Sequence, residues 1–465
     1  MTRWTPDISS YEGHRYRALA EAIRDAILSG ELKPETKLLA HREMSWRVGV
    51  TVGTVAKSYK LLSDWGLVYA RIGDGTWVKS EEQQGDRLVI GEKKIRNIDF
   101  GLLLPSTLTD TGLRKKAFKD TLSKLGDDLM RKPLTGYAPE LGYESHRRAG
   151  ASFVKDSGYE APLSEIIVTD GAQEAIHLIF SILSKPSDTI MAEEVGYLGV
   201  KTASNIRNRI VAPIAMDEQG IIPESLEAVA KKTQSKLLFL VPNLQNPTGI
   251  TMPLERRQAI AAIAERCDFY IIEDNPFWAL AGELPPPIVS LAPERTFYIT
   301  SLSKYVSPSL RIGYLRAVPK FVPDLEIAKH ALSQAGSSLQ AEVAKHWIKT
   351  GILYELTAWQ KKEIHARWDI ANTILEGHLL DDLLPKPFIW LSLPERWCVT
   401  DFISALKAEN INCIDSNHFI HSRVKEPTAI RVALTTPETR KSLELGLTIL
   451  KQILGSAPNI SQPLY

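Results

Sequence analysis

Seven short apolar runs constrain the fold of this chain more than any other feature. They cover residues 165–169, 189–192, 210–214, 236–241, 269–273, 296–300 and 311–317, with helical patterns between them. Runs this short, rich in β-branched residues and bounded by Asp, Pro and Gly, read as strands. Their nearly continuous apolar character means that both strand faces are buried. Strands of this kind alternating with helices predict a mostly parallel sheet covered by helices on both faces, an α/β fold. Ligands of such sheets sit beyond the carboxyl ends of the strands.

The residues at those ends carry the chemistry. Thr169-Asp170-Gly171-Ala172-Gln173 follows the first run and opens a helix, whose free N–H groups and positive dipole end suit a phosphate. Tyr197 follows the second run and can either stack on an aromatic ring or pack structurally. Asn246, in Asn246-Pro247-Thr248-Gly249, precedes a proline that holds its backbone extended or cis, fixing the angle of its amide. Asp274 closes an apolar strand, where a carboxylate is costly to bury without a cation. Thr300-Ser301-Leu302-Ser303-Lys304 and Arg311 complete the set. A lysine there can form an imine with an aldehyde cofactor while Ser301, Ser303 and Arg311 bind its phosphate, the arrangement of pyridoxal phosphate chemistry.

The first eighty residues read differently. Residues 16–28 place Leu19, Ile23 and Ile27 at four-residue spacing, an amphipathic helix. A short helix near residues 42–48, a break at Gly49 and a third helix capped by Thr51 form a helix-turn-helix. Two short β runs flank Arg71-Ile72-Gly73-Asp74-Gly75, a hairpin with a glycine-rich tip. The net charge of +1 hides an asymmetry: residues 1–80 hold twelve Lys/Arg against nine Asp/Glu, which leaves −2 for the remainder. A modest basic surface suits nucleic acid. The three cysteines show no metal-like spacing, six of the histidines, His421 among them, share no spacing, and no metal site is expected. No apolar run approaches the roughly eighteen residues of a membrane span, and the N-terminus has no signal-peptide pattern, so a cytoplasmic protein is expected.

Both modules resemble known families. The order Ser29-Gly30-Glu31-Leu32-Lys33-Pro34, helix-turn-helix, then Gly66-Leu67-Val68 through Gly73-Asp74-Gly75-Thr76-Trp77-Val78 resembles the GntR winged-helix domain across residues 10–80. That resemblance implies that Arg42, Thr51, Thr54, Lys57 and Tyr59 face DNA and that the Gly75 tip reaches the minor groove. The chain departs from the family at Val52-Gly53, where an arginine is usual. After a polar linker at 81–97, residues 98–455 resemble fold-type I aminotransferases, with about 330–455 as a small C-terminal subdomain. The motifs keep the family order: phosphate turn, stacking tyrosine, Asn-Pro-Thr-Gly, acidic strand end, Ser-x-Ser-Lys, arginine.

The resemblance implies bound pyridoxal 5′-phosphate. Lys304 would form its aldimine, Asp274 hold its pyridine nitrogen, Asn246 bond its ring hydroxyl and Tyr197 stack on its ring. Ala172, Gln173, Ser301, Ser303 and Arg311 would bind its phosphate, with Tyr137 reaching it from the partner subunit of a head-to-tail homodimer. Arg431 would clamp a ligand α-carboxylate. Two departures stand out: Phe277 occupies the place of a tyrosine that donates to the cofactor's ring oxygen, and Asp170 that of a serine in the phosphate turn. The fusion as a whole is similar to the MocR (GntR-MocR) family of bacterial transcription regulators. Three functions remain open on the sequence: a regulator answering an amino compound, a regulator sensing the cofactor itself, and an active aminotransferase with a DNA-binding head.

Overall fold

A computed structural model describes residues 4–8, 11, 14–33, 35–64, 67–71, 74–78, 97–106, 112–129, 136–379, 384–421 and 427–457. The chain divides into two compact units, Met1–Arg96 and Asn97–Tyr465. The linker expected at 81–97 lies outside the described residues apart from Asn97.

In the first unit, helix α1 (Arg15–Leu28) buries Leu19, Ile23 and Ile27, the stripe set by their four-residue spacing. Helix α2 (His41–Val48) ends at Gly49, whose φ of 67° is left-handed. Thr51 then starts helix α3 (Val52–Asp64), its Oγ1 accepting from the Thr54 N–H at 3.1 Å. Strands β1 (Val68–Arg71) and β2 (Gly75–Val78) pair antiparallel, with Arg71 opposite Gly75. Leu19, Ile23, Met44, Val55, Leu62, Val68 and Val78 share one core, so the helices and the hairpin pack as a winged helix.

The second unit is built on a seven-stranded sheet. Strand β3 (Ile98–Asp99) lies outside it; β4 (Ile166–Thr169), β5 (Thr189–Glu193) and β6 (Ile210–Ile214) belong to it. A small hairpin, β7 (Met216–Asp217) and β8 (Gly220–Ile221), precedes β9 (Leu237–Leu240), β10 (Tyr270–Asp274), β11 (Thr296–Ser301) and β12 (Gly313–Arg316). The order is β4-β12-β11-β10-β9-β5-β6, and only β12 runs antiparallel to its neighbours. Alternate residues feed opposite faces. Leu237 and Phe239 join the core beneath helix Ala172–Leu183, while Leu238 and Leu240 join that beneath helix Leu254–Arg266. Both faces are therefore covered, as the apolar runs require.

Strand β12 differs from the expected run at 311–317. It begins at Gly313 because Arg311 caps a tight turn, Pro308–Leu310, in left-handed conformation with φ 48°. A side chain there costs about 1 kcal/mol.

A second core gathers β13 (Phe388–Ser392), β14 (Ile411–Asn412) and β16 (Ala429–Ala433) with helices Val399–Ala408 and Arg440–Gly455, and β15 (Ile414–Asp415) pairs with β16. Strand β3 pairs parallel with β14, and Ile98 and Phe100 pack into this C-terminal core. The segment that opens the second unit in sequence thus belongs to its small subdomain in space.

A candidate cofactor and ligand site at the carboxyl edge of the sheet

Because β4, β5, β9, β10 and β11 run the same way, Thr169, Glu193, Leu240, Asp274 and Ser301 all end at one edge. The reversed strand β12 starts there, with Gly313 opposite both Ser301 and Thr169. A Cβ on Gly313 would lie 2.8 Å from Thr169 Oγ1 and 2.9 Å from the Gly171 carbonyl carbon, so only glycine permits this approach. Arg311 is thereby laid on the phosphate turn. Its Nη2 donates to Asp170 O at 2.9 Å, and a Cβ on Gly171, at φ 90°, would stand 3.0 Å from that nitrogen. Arg311 and the first N–H groups of helix Ala172–Leu183 make an anion cradle, flanked by Ser301, which is buried, and Ser303, which is half-buried.

Gln173 and Tyr197 join this cradle. The Gln173 amide donates to Gly199 O at 3.0 Å, and Tyr197 donates to Gln173 Oε1 at 3.3 Å. Burial and the Asp274 carboxylate push the Tyr197 phenol up to about 12.

Asp274 is 4% exposed, and its Oδ1 has no hydrogen-bond partner among the described residues. Burial pushes its carboxyl up to about 7 against the pull of the Lys304 cation. Lys304 donates to Leu103 O at 2.8 Å, and burial together with Arg431 pushes its amine down to about 8. Arg431, on β16, donates from Nη1 to Asn246 Oδ1 at 2.7 Å and from Nη2 to Gly101 O at 2.5 Å, and its buried Nε has no hydrogen-bond partner among the described residues. Asn246 precedes a cis peptide bond, and with its oxygen turned to Arg431 its amide nitrogen is left to donate elsewhere.

This set fits pyridoxal 5′-phosphate. The orphaned Asp274 oxygen needs a cation such as a protonated ring nitrogen, and the glycine-bared cradle at Arg311 needs an anion. The Lys304 amine, near enough to Asp274 to feel its charge, supplies the nucleophile.

The acid at 170 raises no conflict with a phosphate. Asp170 Oδ1 accepts from Ser337 N at 3.3 Å, at the N-terminus of helix Ser338–Thr350, where the helix dipole favours an anion. Beneath it, the fully buried Lys329 donates to Glu174 Oε2 at 2.8 Å, which also accepts from the Asp170 N–H at 2.7 Å. Phe277 is buried among Leu103, Phe388 and other apolar groups and offers no donor. Tyr137 is 83% exposed.

Several functional residues escaped the sequence reading. Arg257, fully buried, donates to Asn243 Oδ1 at 2.6 Å; Asn243 donates to Asn275 at 3.0 Å, and Asn275 to Tyr298 at 3.1 Å. That chain fixes the loops carrying Asn246 and Asp274. Glu193 is the other: it closes β5 as Asp274 closes β10, and the same signal, an acid ending an apolar strand, marks it. It is 1% exposed, its Oε2 has no hydrogen-bond partner among the described residues, and burial pushes it up to about 8. His421 Nδ1 lies 2.9 Å from the Glu193 carbonyl, and burial pushes its imidazole down to about 4.

Glu193 and Asp274 have a consequence for pH. Their folded pKa values lie above the ordinary carboxylate range, so the folded state holds more protons than the unfolded one between about pH 4 and pH 8. Stability of the cofactor-free protein should therefore fall as pH rises through that window. Thermal unfolding from about pH 5 to pH 8 will show this, and Glu193→Gln should flatten the slope; an equally steep slope in that variant would remove Glu193 from the account.

On the winged helix, Arg42, Thr51, Lys57 and Gly75 are exposed and Thr54 is half-buried. Tyr59 corrects the sequence expectation. It is 5% exposed and its hydroxyl donates to Leu39 O at 2.8 Å, because it falls on the core face of α3 with Val55 and Leu62. It packs the head and does not face DNA.

Residues 108–443 match the family described as "Aminotransferase class I and II", and residues 15–78 match "Bacterial regulatory proteins, gntR family". The chain is 28% identical to an uncharacterized HTH-type transcriptional regulator, YdeF, of Bacillus subtilis, over 97% of this chain and 96% of that one. It is 26% identical to the probable rhizopine catabolism regulatory protein MocR of Rhizobium meliloti, covering 92% and 91%. Among solved structures, the Pyrococcus horikoshii kynurenine aminotransferase aligns with a TM-score of 0.70 at 23% identity, covering 77% of this chain and 91% of that one. That likeness speaks to the fold. Among the described residues, no helix is long and apolar enough to cross a membrane.

Proposed function

Since the chain belongs to the aminotransferase class I and II family and carries a gntR-type DNA-binding head in the MocR arrangement, with pyridoxal 5′-phosphate as cofactor, we propose that it is a transcription regulator whose DNA binding responds to that cofactor or to an amino compound condensing with it. What carries the reading is one combination: a helix-turn-helix with its wing on the same chain as a lysine, an orphaned aspartate and an anion cradle at one sheet edge. When bound, the cofactor supplies an aldehyde carbon that exchanges amines and a ring that withdraws electrons. The protein's own residues do the rest. Lys304, with its amine lowered to about 8, is partly neutral near pH 7 and therefore nucleophilic. Asp274 keeps a proton on the ring nitrogen, Asn246 meets the ring oxygen and Arg431 takes a carboxylate.

Phe277 favours recognition over turnover, because no hydroxyl stands there to tune the cofactor's ring oxygen. The enzymatic alternative rests on Lys304, Asp274 and Arg431 being together, a set sufficient to exchange amines. Tyr137, exposed on its own subunit, suits a role at the partner subunit's phosphate in a head-to-tail dimer. A DNA-bound regulator works in the cytoplasm.

The test is a mobility-shift titration of the upstream promoter DNA, with and without cofactor and candidate amines. Absence of DNA binding together with rapid amino transfer to a keto acid would overturn the regulatory reading. Within the same assay, Arg42→Ala and Lys57→Ala should weaken binding across sequences and each lower the salt slope by about 1. Tyr59→Phe should leave DNA affinity unchanged and cost about 1 kcal/mol of stability, since it removes only a buried hydrogen bond.

A further inference from the structure

We infer that the winged helix reads thymine methyl groups in the major groove, through Val52 and Ala56 on helix α3. This rests on the reading of the chain as a DNA-bound regulator. Helix α3 is the second helix of the helix-turn-helix, the one that enters the groove with its first residues toward the base edges. Val55, Tyr59 and Leu62 hold its core side, and Val52, Gly53, Ala56, Lys57 and Lys60 form an exposed stripe on the other.

That stripe carries no hydrogen-bonding side chain before Lys57. Val52 is 45% exposed, Gly53 has no side chain and Ala56 ends at a methyl group. The polar groups around them are engaged in the fold. Thr51 Oγ1 accepts from the Thr54 N–H, and the two threonine hydroxyls lie 2.9 Å apart. Ser58 donates to Tyr16 O at 2.6 Å, and Tyr59 to Leu39 O. The packing of the head does not call for Gly53, since a Cβ there would meet only Thr51 Oγ1, at 3.9 Å. Glycine weakens a helix and gains nothing inside this one, so its bareness serves a surface that approaches from outside.

A DNA duplex supplies such a surface. Each base shows hydrogen-bonding groups on its major-groove edge, and thymine adds an apolar C5 methyl. Arginine or lysine matches guanine, and asparagine or glutamine matches adenine; Val52, Gly53 and Ala56 offer none of these. A valine and an alanine one turn apart match methyl groups, and bare Gly53 lets the helix sit close to the base edges. Lys57 and Lys60 follow on the same stripe and supply cations for phosphates. The cations suit any duplex, and the apolar start of the stripe selects thymine within it.

The experiment selects duplexes from a random pool with the full-length protein, cofactor-loaded and cofactor-free. Mobility shifts then follow on the selected site with each thymine replaced in turn by deoxyuridine, which removes one methyl group and keeps the base pair. Thymines should recur in the selected sites, and deoxyuridine at those facing Val52 and Ala56 should weaken binding about fourfold each, the loss of one buried methyl. In Val52→Ala one of the two penalties should vanish and the other persist. Val52→Arg should shift the preference at its position toward guanine. Gly53→Leu, for which the head has room, should lose the preference for the selected site over random DNA. Deoxyuridine tolerated at every position would overturn the inference and leave the regulator intact. So would an altered sedimentation of Val52→Ala with both penalties unchanged, which would give the stripe to a second copy of this chain. A protein that prefers no sequence at all would remove the regulatory reading, and the inference with it.

Discussion

Lys304→Ala should abolish covalent capture of pyridoxal 5′-phosphate. Lys304 lies on the turn after β11, within electrostatic reach of Asp274 and Arg431, and burial together with the nearby Arg431 cation lowers its amine to about 8. No other amine among the described residues is placed so: Lys329, the nearest buried lysine to the phosphate turn, is committed to Glu174. In the wild-type protein, borohydride reduction should fix the cofactor to the chain and raise its mass. In Lys304→Ala the mass should stay unchanged and the absorbance of the lysine-bound cofactor should be missing. The cradle at Arg311 and Ala172 remains, so the variant should still take up cofactor noncovalently. Retention of the wild-type spectrum would refute the lysine assignment. If the protein is a sensor of amino compounds, the variant's DNA affinity should also stop responding to them.

Asp274→Asn should have the next largest effect, a loss of cofactor affinity of roughly 30-fold or more. The figure follows from the physics of a buried charge pair, in which removing one partner costs about 2–5 kcal/mol. Asparagine keeps the shape and loses the charge, so the protonated ring nitrogen would face a neutral amide in a dry site. Stability separates this from misfolding. The folded aspartate titrates at about 7, against an ordinary 3.8, so above that pH the folded protein bears a buried anion whose Oδ1 has no hydrogen-bond partner among the described residues. Asparagine removes that burden, and cofactor-free Asp274→Asn should be at least as stable as wild type at about pH 8. Equilibrium dialysis with the cofactor, alongside thermal unfolding of the cofactor-free protein, measures both. A variant that loses stability and affinity together would mark Asp274 as structural.

Much of the site was legible because its signals are local. A lysine after a serine-rich strand end, an acid closing an apolar strand and an asparagine held before proline each declare their chemistry within a few residues. What escaped was set by distance along the chain. Glu193 carried the same signal as Asp274, yet the expected apolar run ended at residue 192 and left it out. Asp170 looked like a liability until the N-terminus of a helix starting at Ser338 was found to receive its carboxylate. Tyr59 looked outward-facing by resemblance, while its position one turn after Val55 on α3 turns it into the core.

The apolar runs and their helical intervals determined by themselves that the large domain is a mostly parallel sheet covered on both faces. They also determined which residues stand at its ligand-binding edge. Pattern suffices for this because strand and helix periodicity follow from local sterics and from the need to bury apolar faces. The tertiary structure alone decided that Gly101 and Leu103 lie against Arg431 and Lys304, contacts spanning 330 and 201 residues of sequence. It alone decided that Gln360 and Thr435 are spent on the backbone of residues 104–106 and that a carboxylate oxygen of Asp274 has no hydrogen-bond partner among the described residues. Charge states and hydrogen-bond satisfaction depend on which groups share a water-free space, and that is a property of the folded chain.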